Sequence, residues 1–315
     1  MITALAGGVG AAKFLEGLAR VVDDEEISVI VNTGDDIELY GLHISPDVDI
    51  VIYTLAGIVD NEKGWGIKGD TFNCLEALRR YGYDTWFMLG DRDLATHIYR
   101  TNLLKKGLKL SDVIDKERTA LGVKAKIIPM TDDKVETMIV TDKGVMHFQE
   151  YLIKRKAQDK VLEVIFKNIE NARPAPGVID SIMKARGVII CPSNPIVSIG
   201  TILSIPGVRE SLKETKAKIV GISPLIAGAT VKGPADKLMN SLAAQLKIKK
   251  EDVSAYGVAK LYEDFLDVFI IDNLDANLGE KIERLGIKVF ITNTIMKDLK
   301  EKMRLAKTAL SIMGI

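Results

Sequence analysis

Ile2-Thr3-Ala4-Leu5-Ala6-Gly7-Gly8-Val9-Gly10-Ala11-Ala12-Lys13 decides how the rest of the chain is read. A short, largely apolar run enters a glycine cluster, and a segment with Phe14, Leu15, Leu18 and Val22 on one helical face follows. That is strand, tight turn and helix, the opening of a βαβ unit. The spacing predicts a strand over Ile2–Ala6, a helix over Ala11–Val22 and a second strand over Ile27–Val31. Ser45-Pro46-Asp47 is a cap signal for a helix over Val48–Val59. Helices are expected over Thr71–Tyr81 and Leu94–Lys106, with a short strand near Thr85–Leu89 between them.

The middle of the chain changes rhythm. Val135–Val140 and Val145–Tyr151 alternate about the turn Thr141-Asp142-Lys143-Gly144, which predicts a β-hairpin inside a cap inserted at about 130–176. The α/β pattern returns with a helix over Gly177–Ala185 and a strand over Gly187–Cys191. Further strands are expected at Lys218–Ile222, Asp267–Ile271 and Ile287–Ile291, and a closing helix at Thr294–Met313. The fold class expected is therefore α/β and Rossmann-like: a mostly parallel sheet with helices on both faces and a smaller cap, forming one domain over 1–315.

Composition narrows the function. The 315 residues carry 43 Lys+Arg and 43 Asp+Glu, a net charge of zero, so there is no basic excess to displace counterions from nucleic acid. Two cysteines, Cys74 and Cys191, lie far apart without metal-ligand spacing, which rules out a disulfide scaffold. Apolar runs are too short to span a bilayer and no leader is evident, so a cytoplasmic, membrane-free protein is expected.

The segments that carry chemistry sit at predicted strand ends. Gly7, Gly8 and Gly10 let backbone amides approach a phosphate at a helix N-terminus, with Lys13 placed in the first helical turn to pair with it. No Walker sequence follows, and Lys13 stands where a dinucleotide fingerprint needs Gly or Ala, which disfavours a nicotinamide-dependent oxidoreductase. The second strand ends in Asn32-Thr33-Gly34-Asp35-Asp36, two adjacent carboxylates on a glycine turn. They suit a divalent cation or a sugar hydroxyl, or form a solvated acidic turn. Asp47 and Asp49 add two carboxylates at a helix start. Two acidic clusters near a phosphate loop suggest Mg2+ bridged to a diphosphate, with Asp35, Asp36 and Asp49 as candidate metal ligands.

Leu89-Gly90-Asp91-Arg92-Asp93-Leu94-Ala95-Thr96-His97-Ile98-Tyr99-Arg100 is the most specific stretch. Asp91 is expected to cap the helix it opens. Asp93, His97 and Arg100 fall at i, i+4 and i+7 on one helical face, offering the groups that orient a hydroxyl and clamp a phosphoryl oxygen, or else an ion-pair ladder. Arg92 or Arg100 is expected on the diphosphate, ordered by Asp91 or Asp93. His43 and His147 are read as structural. Pro192-Ser193-Asn194-Pro195 follows a strand as a stiff loop; Asn194 could read a base or hydroxyl, and the amides of Ser198–Thr201 could serve a phosphate. Ser223-Pro224 repeats the pattern after a later strand, ahead of Lys232-Gly233-Pro234-Ala235.

Taken together these motifs resemble the 2-phospho-L-lactate transferase family (CofD, or FbiA in actinobacteria) over essentially the whole length. The resemblance rests on GGVGAAKFLEGL, VNTGDD, ISPDVDIVIYTLAG, WGIKGDTFNCLEALRRYG, LGDRDLATHIYRTNLLKKG, IIPMTDD, MHFQEYLI, PSNPIVSIG, ISPLI, VKGPADKLM and YEDFLDVFIID, in that order. It implies transfer of a 2-phospholactyl or phosphoenolpyruvyl group from a guanosine diphospho donor to the terminal hydroxyl of the deazaflavin Fo. GMP leaves, the product is coenzyme F-420-0 or its dehydro form, Mg2+ is required and the enzyme is a homodimer. Carried onto this sequence, Asp49 holds Fo. So does the residue before Leu89, often Lys or Arg in the family and here Met88. The implied catalytic group is Asp49, Asp91, Arg92, Asp93 and His97. The guanosine diphosphate is expected against Gly8–Lys13, Ser193, Asn194 and Pro195, and Ser223 and Pro224. The competing expectation is a non-catalytic nucleotide-sugar-binding regulator of the gluconeogenesis-factor type, which leaves the Asp91 and Asp49 motifs unexplained.

Overall fold

The computed structural model describes residues 1–230 and 233–315. Seven strands form one parallel sheet: β1 Ile2–Ala6, β2 Ile27–Val31, β3 Lys126–Pro129, β4 Gly187–Ile190, β5 Lys218–Ile222, β6 Val268–Ile271 and β7 Lys288–Ile291. Their order is β7-β6-β5-β4-β1-β2-β3. The chain winds outward from β1 to one edge, then restarts at β4 on the other side of β1. In such a doubly wound sheet the crevice at the switch point, between β1 and β4, is where ligands bind. Ile2 lies opposite both Ile27 of β2 and Gly187 of β4, so the carboxyl ends of all three strands finish together.

Both faces of the sheet are covered, as the near-continuous apolar strands require. Ile2, Ala4 and Ala6 point into one core with Phe14, Leu15 and Leu18 of the helix α1 (Gly8–Leu18) and Leu305, Ala306 and Ala309 of the C-terminal helix Leu299–Met313. Leu5 points into the opposite core, with Val188, Ile190 and Ile219. A Cβ at Gly17 would lie 2.4 Å from the Lys302 carbonyl, so the glycine sets the close crossing of α1 and the C-terminal helix. Lys302 and Glu16 form an ion pair at that crossing.

Four more helices matter to the site: α2 Pro46–Leu55, α3 Asn73–Arg80, α4 Asp91–Lys105 and α5 Leu110–Ala120. Several expectations are corrected. The first helix starts at Gly8 rather than Ala11 and ends at Leu18, which puts Lys13 in its second turn, not its first. The helix expected over Val48–Val59 runs instead from Pro46 to Leu55, and Val59 pairs across to Ile67 in a β-bridge. No strand forms over Thr85–Leu89; Phe87 and Leu89 instead pack with Ile44 and Leu94 in a small separate cluster. The closing helix begins at Leu299, capped by Asp298, because Thr294 is tied to Asp272 by its amide and hydroxyl. The helix α5 and the edge strand β3 were not anticipated.

The inserted segment holds the expected hairpin, Glu136–Thr141 with Gly144–His147, and a third antiparallel strand, Val161–Lys167, on its other side. The second strand stops at His147, and Glu150–Lys154 forms a short π-helix where strand was expected. Two small hairpins, Ile37–Leu39 with Leu42–Ile44 and Leu225–Ile226 with Ala229–Thr230, follow β2 and β5. Lys232 and its neighbour Val231 lie outside the described residues.

Candidate active site

A parallel sheet delivers every strand's carboxyl end to one edge. The turns after β1, β2, β4 and β5 therefore line up along it, spanning three strand spacings, about 14 Å. These turns are Gly7–Gly10, Asn32–Asp36, Pro192–Pro195 and Ser223–Pro224, so the segments singled out from sequence share one edge.

The first and third turns are in contact. Gly7 N–H donates to Ser193 Oγ at 3.2 Å. A Cβ on Gly10 would sit 2.2 Å from the Pro192 carbonyl oxygen, a backbone atom that cannot move aside cheaply. Gly10→Ala is therefore expected to lower stability by about 1–3 kcal/mol through overpacking, measurable as a shifted denaturation midpoint. Gly8 takes φ +73 and lies beside the Asp47 carboxylate. The Gly7 amide is thus engaged by Ser193 rather than standing bare.

Asp47 is the anchor of a buried acidic group. Asn32 Nδ2 donates to Asp47 Oδ2 at 2.9 Å and to the Val197 carbonyl at 3.3 Å, and Asn32 Oδ1 accepts from Gly34 N–H. Burial pushes the Asp47 carboxyl up to about 7. Burial, and then the neighbouring Asp47, hold Asp35 well above the usual carboxylate range. Asp36 accepts from Ser45 Oγ and lies 2.9 Å from His43 Nε2. The cap reaches the same turn: Thr137 N–H donates to the Gly34 carbonyl at 2.6 Å, and His147 Nε2 approaches the Asp36 carbonyl at 3.1 Å. His43 and His147 both lie against the acidic turn, at the Asp36 carboxylate and carbonyl respectively.

Among the described residues four buried polar atoms along this edge have no hydrogen-bond partner: Asp35 Oδ1, Asp36 Oδ1, Asn194 Nδ2 and Thr137 Oγ1, the last packed against the Gly34 turn. Buried polar groups are almost always paired, so orphans mark places where a ligand completes the set. Among the described residues no three His, Cys, Asp or Glu side chains converge as a metal cage. A magnesium ion does not need one, because one or two carboxylates plus substrate phosphates are its usual protein complement. The two orphan carboxylate oxygens are hard donors of that kind.

Asn194 Oδ1 accepts from Ile196 and Val197 N–H, which fixes the side chain, while its Nδ2 stays buried and without a partner among the described residues. Its own carbonyl takes Ser198 and Ile199 N–H, so those two amides are committed within the loop and do not serve a phosphate as expected. Ser223 Oγ donates to the Leu225 carbonyl and accepts from Leu225 N–H; it stiffens its turn, with Pro224 beside it half-buried.

Asp49 lies two residues beyond Asp47 but faces elsewhere. Its carboxylate receives Arg100 Nη1 at 3.2 Å and Arg100 Nη2. Glu117 of α5 takes Arg100 Nε and Nη2, the latter at 2.8 Å. One turn along α2, Tyr53 OH donates to Asp93 Oδ1 at 2.7 Å. The His97 ring sits between, 3.3 Å from Asp93 Oδ1 and 3.8 Å from Asp49 Oδ2. Asp93, His97 and Arg100 do share one face of α4, and it turns inward on α2 and α5. Burial alone would weaken protonation of Arg100, yet Asp49 and Glu117 hold it firmly charged. Arg100 is 0% exposed, so it does not reach a diphosphate, and Asp49 and Glu117 order it rather than Asp91 or Asp93. The structure likewise does not group Asp49 with Asp35 and Asp36, since both its oxygens are on Arg100.

Asp91 opens α4 but does not cap it. Its carboxylate accepts from Thr71 Oγ1 and from the amides of Asn73 and Cys74, capping α3 instead. These bonds, that of Thr71 foremost, bring its carboxyl down to about 2. Asp70 in turn caps α4 through the amides of Arg92 and Asp93. The exchange needs Gly90, where a Cβ would lie 2.1 Å from Asp70 Oδ2. Gly90→Ala is expected to cost about 1 kcal/mol by loss of the cap, read as earlier unfolding with helical signal lost. Arg92 is exposed beside this exchange and Met88 precedes it, 37% exposed.

Sequence reasoning missed Asp70, Tyr53 and Glu117 as parts of the site. The signal for Glu117 was present: Leu110, Val113, Ile114 and Glu117 lie at i, i+3, i+4 and i+7, so the carboxylate ends an apolar stripe.

A family model, 2-phospho-L-lactate transferase CofD, matches residues 2–304. A 2-phospho-L-lactate transferase of Methanocaldococcus jannaschii is 45% identical over 318 residues, covering 100% of this chain and 98% of the relative. A phosphoenolpyruvate transferase of Streptomyces griseus subsp. griseus is 40% identical, covering 99% of this chain and 97% of the relative. Among solved structures, a UPF0052 family protein from Bacillus halodurans superposes with a TM-score of 0.63 at 15% identity, covering 98% of each chain. That last likeness speaks for the fold alone.

Proposed function

Because this chain belongs to the 2-phospho-L-lactate transferase CofD family, we propose that it makes coenzyme F-420-0 or its dehydro form. As a transferase of the phospholactate or phosphoenolpyruvate class, it moves that group from a guanosine diphospho donor onto the terminal hydroxyl of Fo. The observation that carries the reading is the strand-end edge, where Asn194 Nδ2 at the switch point and Asp35 Oδ1 and Asp36 Oδ1 one strand along stand buried and without a partner among the described residues.

The donor lies along that edge. Asn194 offers amide protons to the guanosine, and the Ser193 and Ser223 turns form the wall. Lys13 and Arg92 offer cationic side chains to phosphoryl oxygens. Asp35 and Asp36 would hold Mg2+, with donor phosphate oxygens completing its shell; when bound, the ion neutralises charge on the transferring group. Asp49 receives the hydroxyl of Fo. It keeps 6% of its surface accessible and Asp93 7%, against 0% for Arg100 and 1% for His97, so these two carboxylates are the members of that network a substrate can touch. The Fo oxygen forms the new bond to phosphorus, the bond from phosphorus to GMP breaks, and the hydroxyl proton passes to solvent. Such transfer asks mostly for alignment and charge neutralisation, the two things these groups supply. Asp93, His97 and Asp91 act by position: the first two support Asp49, and Asp91 fixes the start of α4. Met88 supplies an apolar contact where a basic one is common.

Incubation of the chain with Fo, Mg2+ and each synthetic donor, followed by mass spectrometry, tests this. An adduct of Fo with a phospholactyl or phosphoenolpyruvyl group is expected. Folded protein yielding neither adduct would remove the transferase assignment to Fo.

A further inference from the structure

We infer that Glu117, on α5 and outside every motif above, is a positioning residue that sets Asp49 for the acceptor through Arg100; this rests on the proposed role of Asp49. The geometry is a doubly gripped guanidinium. Glu117 takes Nε at 3.1 Å and Nη2 at 2.8 Å, along one side of the fork. Asp49 takes Nη1 and Nη2, along its end. Held on two sides, a planar guanidinium cannot rotate, so the plane of the Asp49 carboxylate is fixed.

The second consequence is charge. One guanidinium between two carboxylates leaves the buried group with an excess negative charge, in a region where Glu117 and Arg100 are both inaccessible. With only one partner, Arg100 would satisfy Asp49 fully and draw electron density from the oxygen that receives a hydroxyl. Sharing Arg100 with Glu117 keeps Asp49 a strong acceptor. Nothing else among the hydrogen bonds of Glu117 links it to the strand-end edge; its side chain bonds only Arg100 among the described residues.

A double-mutant cycle decides the matter, read by Fo affinity (from Fo fluorescence) and by the KM for the guanosine diphospho donor. Glu117→Gln keeps the shape and removes the charge. It is expected to weaken Fo binding about tenfold with the donor KM unchanged, and to change Fo binding less than about twofold when placed on Asp49→Asn. An equal effect in both backgrounds, an equal effect on the donor, or none in the wild type would overturn the inference, since a merely structural glutamate acts independently of Asp49. If the wild type binds Fo yet forms no adduct, the transfer reading fails while the cycle still decides the role of Glu117. A wild type that does not bind Fo overturns both.

Discussion

Replacing Arg100 with alanine is expected to destabilise the protein by about 3–5 kcal/mol, the usual cost of stripping the partner from buried charges. Arg100 is completely buried and is the only cation hydrogen-bonded to Asp49 and Glu117 among the described residues. Both carboxylates are themselves almost inaccessible, so no solvent already stands where the lost donors were. Burial already lifts Glu117 above its ordinary range, and removing the guanidinium withdraws what opposes that rise. The two acids would then protonate or drag water inward, and either response loosens the packing of α2, α4 and α5. Chemical denaturation of the wild type and of Arg100→Ala measures the difference. A loss under about 1 kcal/mol would mean that the cluster is hydrated and that its geometry contributes little.

Asp49→Asn is expected to lower kcat/KM for Fo at least tenfold, about 1.4 kcal/mol of transition-state stabilisation, while the donor KM stays near that of the wild type. The amide keeps the size of the carboxylate but offers one acceptor oxygen in place of two, and its NH2 group faces Arg100 donors. The variant thus loses both the charge and the orientation that the acceptor hydroxyl uses. Steady-state kinetics with each substrate varied in turn checks this. Unchanged parameters in a folded variant would take Asp49 out of the site.

Much of the fold was legible because strand-turn-helix signals recur at the carboxyl ends of strands. Ile2–Ala6, Ile27–Val31 and Lys218–Ile222 occur with the expected bounds. The strand-end motifs gathered on one edge for a topological reason, since a parallel sheet leaves no other place for them. What failed had local physical causes. Asp91 looked like the cap of its own helix, but Gly90 admits Asp70 and the two aspartates exchange partners. The edge strand β3 is only Lys126–Pro129, too short for alternation to show, and it ends in proline. The direction of α4 could not be read from its own spacing. Asp93, His97 and Arg100 share a face in any helix, and only α5, with Glu117, shows that this face is interior. Spacing marks Asp47 as a cap and Asp49 as the freer carboxylate, but only the structure sets Asp47 on Asn32 and Asp49 on Arg100.

The most direct measurement is a crystal structure of the chain with Fo, a non-reacting guanosine diphospho donor analogue and magnesium. The diphosphate is expected across the ends of β1 and β4, with Asn194 Nδ2 on the nucleotide, metal density at Asp35 and Asp36, and the Fo hydroxyl within hydrogen-bond distance of Asp49. Nucleotide bound away from those strand ends, or Fo seated out of reach of Asp49, would contradict it.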